Sequence, residues 1–141
     1  MWAMSITDIY EAFDLIEDWE ERYRYLIDLG RGLEPLSEEE KREENRVHGC
    51  TSRVWMVTEV TGDPPVLVIR ADSDAFIVRG LIALVLEVYS GKRVDEIGAI
   101  DIKAVMARLG LEKHLSPMRT NGFYSMVQDI QRRAAAALAE G

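Results

Sequence analysis

A change of hydrophobic period in the middle of the chain constrains the fold most. Residues 54–60 and 66–69 are rich in β-branched and aromatic side chains, a composition typical of half-buried strands. The residues between them include glycine, aspartate and two prolines, which favour a tight reversal of the chain. The sequence therefore predicts an antiparallel hairpin formed by about residues 53–61 and 65–71.

Helical periodicity flanks this hairpin on both sides. Because an isolated hairpin is only marginally stable, we expect a third strand or covering helices, and residues 45–48 are the candidate for a short edge strand. The order helix, hairpin, helix predicts an α+β fold with a small antiparallel sheet surrounded by helices. The predicted helix starts are Ser5 with Asp8, Ser37 with Glu40, Asp72–Asp74 and Ser116–Pro117. The last helix is expected to bury Met126, Val127, Ile130 and Leu138.

Length, charge and cysteine content narrow the class of protein. The 141 residues predict a single domain, 1–141, and the net charge of −8 argues against a nucleic-acid partner. One cysteine provides no disulfide framework, which favours a reducing cytoplasmic location. Met1–Ser5 lacks the pattern of an export signal, and the most apolar run, residues 81–86, is too short to span a membrane.

Cys50 is the only cysteine, and it lies on the loop that enters the first predicted strand. One thiol is too few for an internal disulfide, a thiolate metal cage or an iron–sulfur cluster. A lone cysteine often packs as a small buried hydrophobe. Here Gly49 permits a tight turn beside it, and Arg46, His48 and Arg53 would lower its pKa if their side chains point toward the sulfur.

Three kinds of chemistry are compatible with this thiol. Acyl transfer needs a base, for which His48 and His114 are the candidates, but no orienting acid is evident. A zinc site built from Cys50, these two histidines and an acid would lack the usual paired spacing. Sulfur or disulfide exchange with another protein needs only one cysteine and a docking surface.

Four segments resemble the SufE family of sulfur acceptors that serve cysteine desulfurases in iron–sulfur cluster assembly. Residues 47–55, VHGCTSRVW, resemble the active loop of that family. Residues 22–30, 71–81 and 115–122 resemble further family segments and occur in the family order. The resemblance implies an α+β fold like that of the iron–sulfur scaffold proteins (IscU-like).

The resemblance also implies a function. Cys50 would accept persulfide sulfur from a SufS- or CsdA-like cysteine desulfurase, stimulate that enzyme and hand the sulfur on to a cluster scaffold. The protein would then be a sulfurtransferase-type partner rather than a stand-alone enzyme. Pyridoxal phosphate would reside on the desulfurase, and this chain would hold neither a cofactor nor a metal. The alternative is a non-catalytic interaction or scaffold protein of cluster assembly.

Other residues receive supporting roles. His48, Gly49 and Ser52 are expected to support the Cys50 loop. Arg119, in a family-like segment, is expected to contact the partner or the persulfide, although a solvated arginine in the first turns of a helix explains it equally well. We expect a monomer or weak homodimer, with neither nucleic acid nor membrane as a partner.

Overall fold

The structure, a computed structural model, describes residues 5–140 and confirms the α+β class. Within these residues five α-helices surround a three-stranded antiparallel sheet. In chain order the elements are α1 (Ile6–Leu15), α2 (Trp19–Arg31), β1 (Val54–Thr61), β2 (Val66–Ser73), α3 (Phe76–Tyr89), β3 (Lys92–Arg93), α4 (Ile102–Leu109) and α5 (Pro117–Glu140). Residues 1–4 and 141 lie outside this description, and with them most of Met1–Ser5 and the two ends of the predicted domain 1–141.

The hairpin prediction is confirmed, with slightly shifted ends. β1 and β2 pair along their whole length, from Val54 opposite Ser73 to Thr61 opposite Val66. The segment near residues 45–48 does pair with β1 at one edge of the sheet, but as a single bridge rather than as a strand. The third strand is instead β3, which pairs with the other edge of the sheet, at the start of β2.

The position of β3 follows from the turn that ends α3. Gly91 has a φ of 79°, a left-handed conformation that glycine adopts without steric cost. Its N–H donates to the carbonyl of Leu67 at 2.7 Å. This bond aligns the next two residues with β2, so a strand too short to show any sequence pattern forms there.

The helix predicted after Asp72–Asp74 is confirmed as α3, but these residues do not cap it, because its N-cap is Ala75. β2 continues through Ser73, and the buried Asp72 carboxylate accepts hydrogen bonds from the N–H groups of Ser73 at 2.8 Å and Leu36 at 3.3 Å. Arg79 and Lys41 lie 3.3 and 3.7 Å from the same carboxylate. Since a buried carboxylate needs such partners, Asp72 ties the α2–β1 connection and α3 to the sheet.

Two smaller predictions fail for reasons of packing. Ser37 and Glu40 exchange the expected capping hydrogen bonds, but no α-helix follows. The residues after them are polar on every side and offer no face to bury. Leu138 is 50% exposed rather than buried, because α5 extends beyond the core and its buried face ends at Ala134.

Helix α3 is the central element of the core. It packs against α1, α2, α5 and β2, and its inner face contributes Leu81, Ile82, Leu84 and Val85, all nearly inaccessible to solvent. None of the helices in the described part of the chain is long and apolar enough to cross a membrane.

Two glycines bring α2 and α3 into close contact. A Cβ atom on Gly30 would lie 2.6 Å from the backbone nitrogen of Gly80, and one on Gly80 would overlap the Leu26 carbonyl. The neighbouring atoms belong to helical backbone, which cannot move aside cheaply. The two helices therefore approach at a distance that only glycine permits.

We predict that Gly80→Ala destabilises the protein because the methyl group forces α2 away from α3. Overpacking of this kind costs about 1–3 kcal/mol, measurable as a lower free energy of unfolding in urea. Gly98→Ala is the matched control, since its Cβ would meet nothing within 4 Å, and should change stability by less than about 0.5 kcal/mol. Equal stabilities of the two variants would contradict the close-contact explanation.

Candidate functional site

The loop that carries Cys50 is closed at its base by backbone pairing. Arg46 forms an antiparallel bridge with Trp55, and the N–H of Val47 donates to the carbonyl of Val54 at 2.9 Å. Val47 and Val54 are only 2% and 0% exposed. These apolar anchors fix both ends of the loop in the core.

Two further contacts hold the body of the loop. The N–H of Arg53 donates to Asp74, just after β2, at 3.2 Å. Gly49 has a φ of 92°, so the tight turn expected there is present. A Cβ atom on Gly49 would overlap the hydroxyl of Ser125 on α5. The loop therefore lies directly on α5, which is possible because position 49 has no side chain.

Cys50 meets α5 at a second glycine. Its thiol donates to the carbonyl of Gly122 at 3.5 Å, and a Cβ atom on Gly122 would lie 3.4 Å from the sulfur. A glycine inside a helix costs about 1 kcal/mol relative to alanine, and that cost is the sequence signal that marks this position of α5 as a point of contact.

A cleft with a volume of about 260 Å³ opens beside the sulfur. The start of α3 contributes Val78 and Leu81 to its wall, and the start of α5 contributes Met118 and Arg119. Thr51, Ser52 and Ser116 also line it, so the wall combines apolar side chains with hydroxyl groups and one cationic side chain. The space greatly exceeds that of one sulfur atom.

Burial raises the pKa of the Cys50 thiol above its ordinary value, and the charge of Arg46 lowers it by a smaller amount. Of the three cations expected to lower this pKa, Arg46 does so, but the desolvation of the thiol outweighs its effect. His48 and Arg53 are exposed, where water screens their charge. In the closed loop Cys50 is consequently a protonated thiol at neutral pH.

The structure brings some of the predicted site residues together and separates others. Ser52, half-buried, and Arg119, exposed, line the same cleft as Cys50. The backbone N–H of Arg119 donates to the Ser116 hydroxyl, which caps α5. His48 is exposed and is not part of the cleft wall.

Neither histidine is the hydrogen-bond partner of the Cys50 thiol in the described part of the chain. The hydrogen-bond partner of Cys50 is the Gly122 carbonyl, whereas the ring of His114 stacks on Trp19 with centroids 3.8 Å apart. No group of three or more His, Cys, Asp and Glu side chains within residues 5–140 is arranged to hold a metal ion. Among the chemistries considered from the sequence, this arrangement best fits exchange with an external sulfur.

Comparison with known proteins agrees with the resemblance seen in the loop. The model of the family described as "SufE: Fe-S metabolism associated domain" matches residues 7–134. An uncharacterised SufE-like protein of Rhizobium etli is 46% identical over 136 residues, covering 95% of this chain and 92% of the relative. A second uncharacterised SufE-like protein, from Rhizobium meliloti, is 45% identical over 136 residues, covering 95% of this chain and 97% of the relative.

A solved structure shares the fold. The solution structure of a hypothetical protein from Thermus thermophilus superposes with a TM-score of 0.75 over 96% of this chain and 99% of that chain, at 20% identity. Such a low identity informs on the fold alone. The family match, by contrast, covers nearly the whole chain, and its relatives are well above 30% identity. The chain therefore belongs to the SufE family, whose domain is associated with iron–sulfur metabolism.

Proposed function

We propose that this protein accepts persulfide sulfur from a cysteine desulfurase onto Cys50, stimulates that enzyme and passes the sulfur on for iron–sulfur cluster assembly. The observation that carries the proposal is the placement of the single cysteine on a loop beside an open cleft. Membership of the SufE family supports the metabolic context. The proposed setting is the cytoplasm, with a SufS- or CsdA-like enzyme as donor and a cluster scaffold as recipient.

The transfer is an exchange between sulfur atoms and needs no oxidant. The Cys50 thiolate attacks the outer sulfur of the donor persulfide and forms a new S–S bond with it. The S–S bond of the donor breaks, and the electron pair leaves on the donor cysteine, which takes up a proton. Cys50 then carries the persulfide, and pyridoxal phosphate is needed only by the donor enzyme that generated it.

The proposed transfer requires two states of the Cys50 loop, one closed on α5 and one open. The closed loop favours the neutral thiol, because desolvation raises the pKa of Cys50. The reactive thiolate is therefore favoured when the loop leaves α5, and Gly49 supplies backbone freedom for that movement. Docking of the desulfurase would stabilise the open loop, with Arg119 at the cleft contacting the partner and His48 and Ser52 supporting the loop.

The first prediction is that Cys50→Ser abolishes sulfur acceptance. Incubation of the wild-type protein with a cysteine desulfurase and cysteine should add one sulfur atom, visible by intact-mass measurement and removed by reductant. The variant should gain no sulfur, and its stimulation of desulfurase turnover should disappear. Thr61→Ser, at an exposed position at the far end of β1, is a control that keeps the thiol and its loop. A Cys50→Ser protein that still stimulated persulfide turnover would refute the carrier mechanism.

A second prediction concerns resident metals and cofactors. The protein isolated without air should contain neither stoichiometric iron nor zinc and should show no visible absorption from a cluster or from pyridoxal phosphate. Elemental analysis and a visible spectrum measure this directly. Stoichiometric metal that is lost in Cys50→Ser would favour the scaffold alternative instead.

A third prediction tests whether the loop shields the thiol. Alkylation of Cys50 should be slower than in the urea-unfolded chain, and its rate should rise at a higher pH than for an ordinary cysteine, whose pKa is near 8.5. Val47→Ser should weaken the packing of the loop base in the core and accelerate alkylation about tenfold. This factor corresponds to a loss of roughly 1.4 kcal/mol in the free energy of loop closure. Val60→Ser, at an exposed β1 position, is the control. Equal rates for folded, unfolded and Val47→Ser chains would show that the loop does not protect Cys50.

A further inference from the structure

The cleft beside Cys50 brings a thiol, apolar side chains and a cationic side chain to one space. We propose that this cleft, with the loop closed, binds a small thiol that carries a carboxylate, and that this thiol takes the persulfide sulfur from Cys50. The inference rests on the proposed function, because it names a class of recipient for the sulfur that Cys50 accepts. It adds a small-molecule recipient to the protein scaffold.

The size of the cleft favours a small molecule. Its volume of about 260 Å³ lies just below the roughly 300–1,000 Å³ of pockets that hold drug-sized ligands. The outer sulfur of a persulfide is comparable in size to one water molecule, about 30 Å³, so most of the cleft stays open beside it. A folded protein cannot enter this space and needs the loop to open, whereas a small thiol can enter while the loop stays closed.

The wall of the cleft suits a ligand with a short apolar body and polar ends. Val78 and Leu81 of α3 and Met118 of α5 line it, and covering such apolar surface contributes about 25 cal/mol per Å². Thr51 and Ser52 add hydroxyl groups, which can donate to or accept from polar atoms of a ligand. A hydrocarbon chain with a thiol at one end and a charged group at the other matches this combination.

Arg119 decides the sign of that charged group. It lines the cleft and is exposed, so its guanidinium stands at the rim. Other arginines lie beside carboxylates, as Arg108 does beside Asp14, but within residues 5–140 the Arg119 guanidinium has neither an ion-pair nor a hydrogen-bond partner. The paired N–H donors of a guanidinium match the two oxygens of a carboxylate. The rim of the cleft therefore favours an anionic thiol over a neutral or cationic one.

The transfer to the small thiol balances without an oxidant. The thiolate of the ligand attacks the outer sulfur of the Cys50 persulfide and forms a new S–S bond with it. The S–S bond at Cys50 breaks, and the electron pair stays on Sγ, which takes up a proton. This proton balances the one that the small thiol lost, and the ligand leaves as a small-molecule persulfide.

The first test uses the sulfur-free protein. Iodoacetate carries a carboxylate and iodoacetamide does not, but both alkylate the same thiolate, so the ratio of their rates reports recognition of the carboxylate rather than the pKa of Cys50. Arg119→Met should lower the iodoacetate rate about two- to fivefold, the factor expected for an exposed ion pair, and leave the iodoacetamide rate unchanged. Arg53→Met is the matched control, because Arg53 is an exposed arginine outside the cleft wall. Thermal unfolding checks that each variant is folded.

The second test uses protein loaded with sulfur by a desulfurase. Discharge by 3-mercaptopropionate should saturate with thiol concentration, and the neutral 3-mercaptopropanamide should need a higher concentration for half-saturation. Arg119→Met should raise the half-saturating concentration of 3-mercaptopropionate about two- to fivefold without affecting that of the amide. Mass measurement of the protein and of the small thiol follows the sulfur atom from one to the other.

The outcomes separate this inference from the proposed function. Equal ratios of iodoacetate to iodoacetamide rates in the wild type and in Arg119→Met would overturn the carboxylate site. Discharge that neither saturates nor depends on Arg119 would overturn the small-thiol recipient while leaving sulfur acceptance intact. Wild-type protein that accepts no sulfur would refute the proposed function and with it this transfer, and the alkylation ratios would still decide whether the cleft recognises a carboxylate.

Discussion

The packing of helix α3 is the interaction on which the fold and the site both depend. Gly80 lets α3 approach α2 closely, and the inner face of α3 fills the core beside β2. Val78 and Leu81, near the start of α3, form a wall of the cleft. The buried Asp72 fixes the strand that leads into this helix. The position of the cleft wall relative to the Cys50 loop is therefore set by the core, and a change in helix packing would alter the site from a distance.

Two opposing effects determine the pKa of the Cys50 thiol. Desolvation favours the neutral thiol, and the charge of Arg46 favours the anion by a smaller amount. A site in which desolvation acted alone would expel a persulfide, whereas a strongly cationic site would keep the resting thiol reactive toward oxidants. For the proposed carrier role, the net effect keeps the empty Cys50 thiol protonated in the closed loop.

Local sequence patterns predicted the α+β class and the β1–β2 hairpin, since these depend on periodicity and turn chemistry within short windows. Asp72 was misassigned because an acid before a serine resembles a helix start, whereas its partners, Leu36, Lys41 and Arg79, come from other segments. β3 was not predicted because the turn at Gly91 positions it, and a strand of two residues has no recognisable sequence pattern. The raised pKa of Cys50 was unpredictable because its burial depends on Gly122, which is 72 residues away. The likeness to the IscU-like scaffold fold stays a prediction.

The small residues of α5 under the loop have a consequence for the carrier cycle proposed above. Gly122 and Ser125 form a notch that fits Gly49 and Cys50 closely. If the loop leaves α5, the surface that it covers becomes exposed to water, and the apolar part of that surface makes the exposure unfavourable. Return of the loop after delivery of the sulfur would then be favourable by itself. Such a cycle would need no nucleotide hydrolysis, because burial of this surface would supply the free energy of closure.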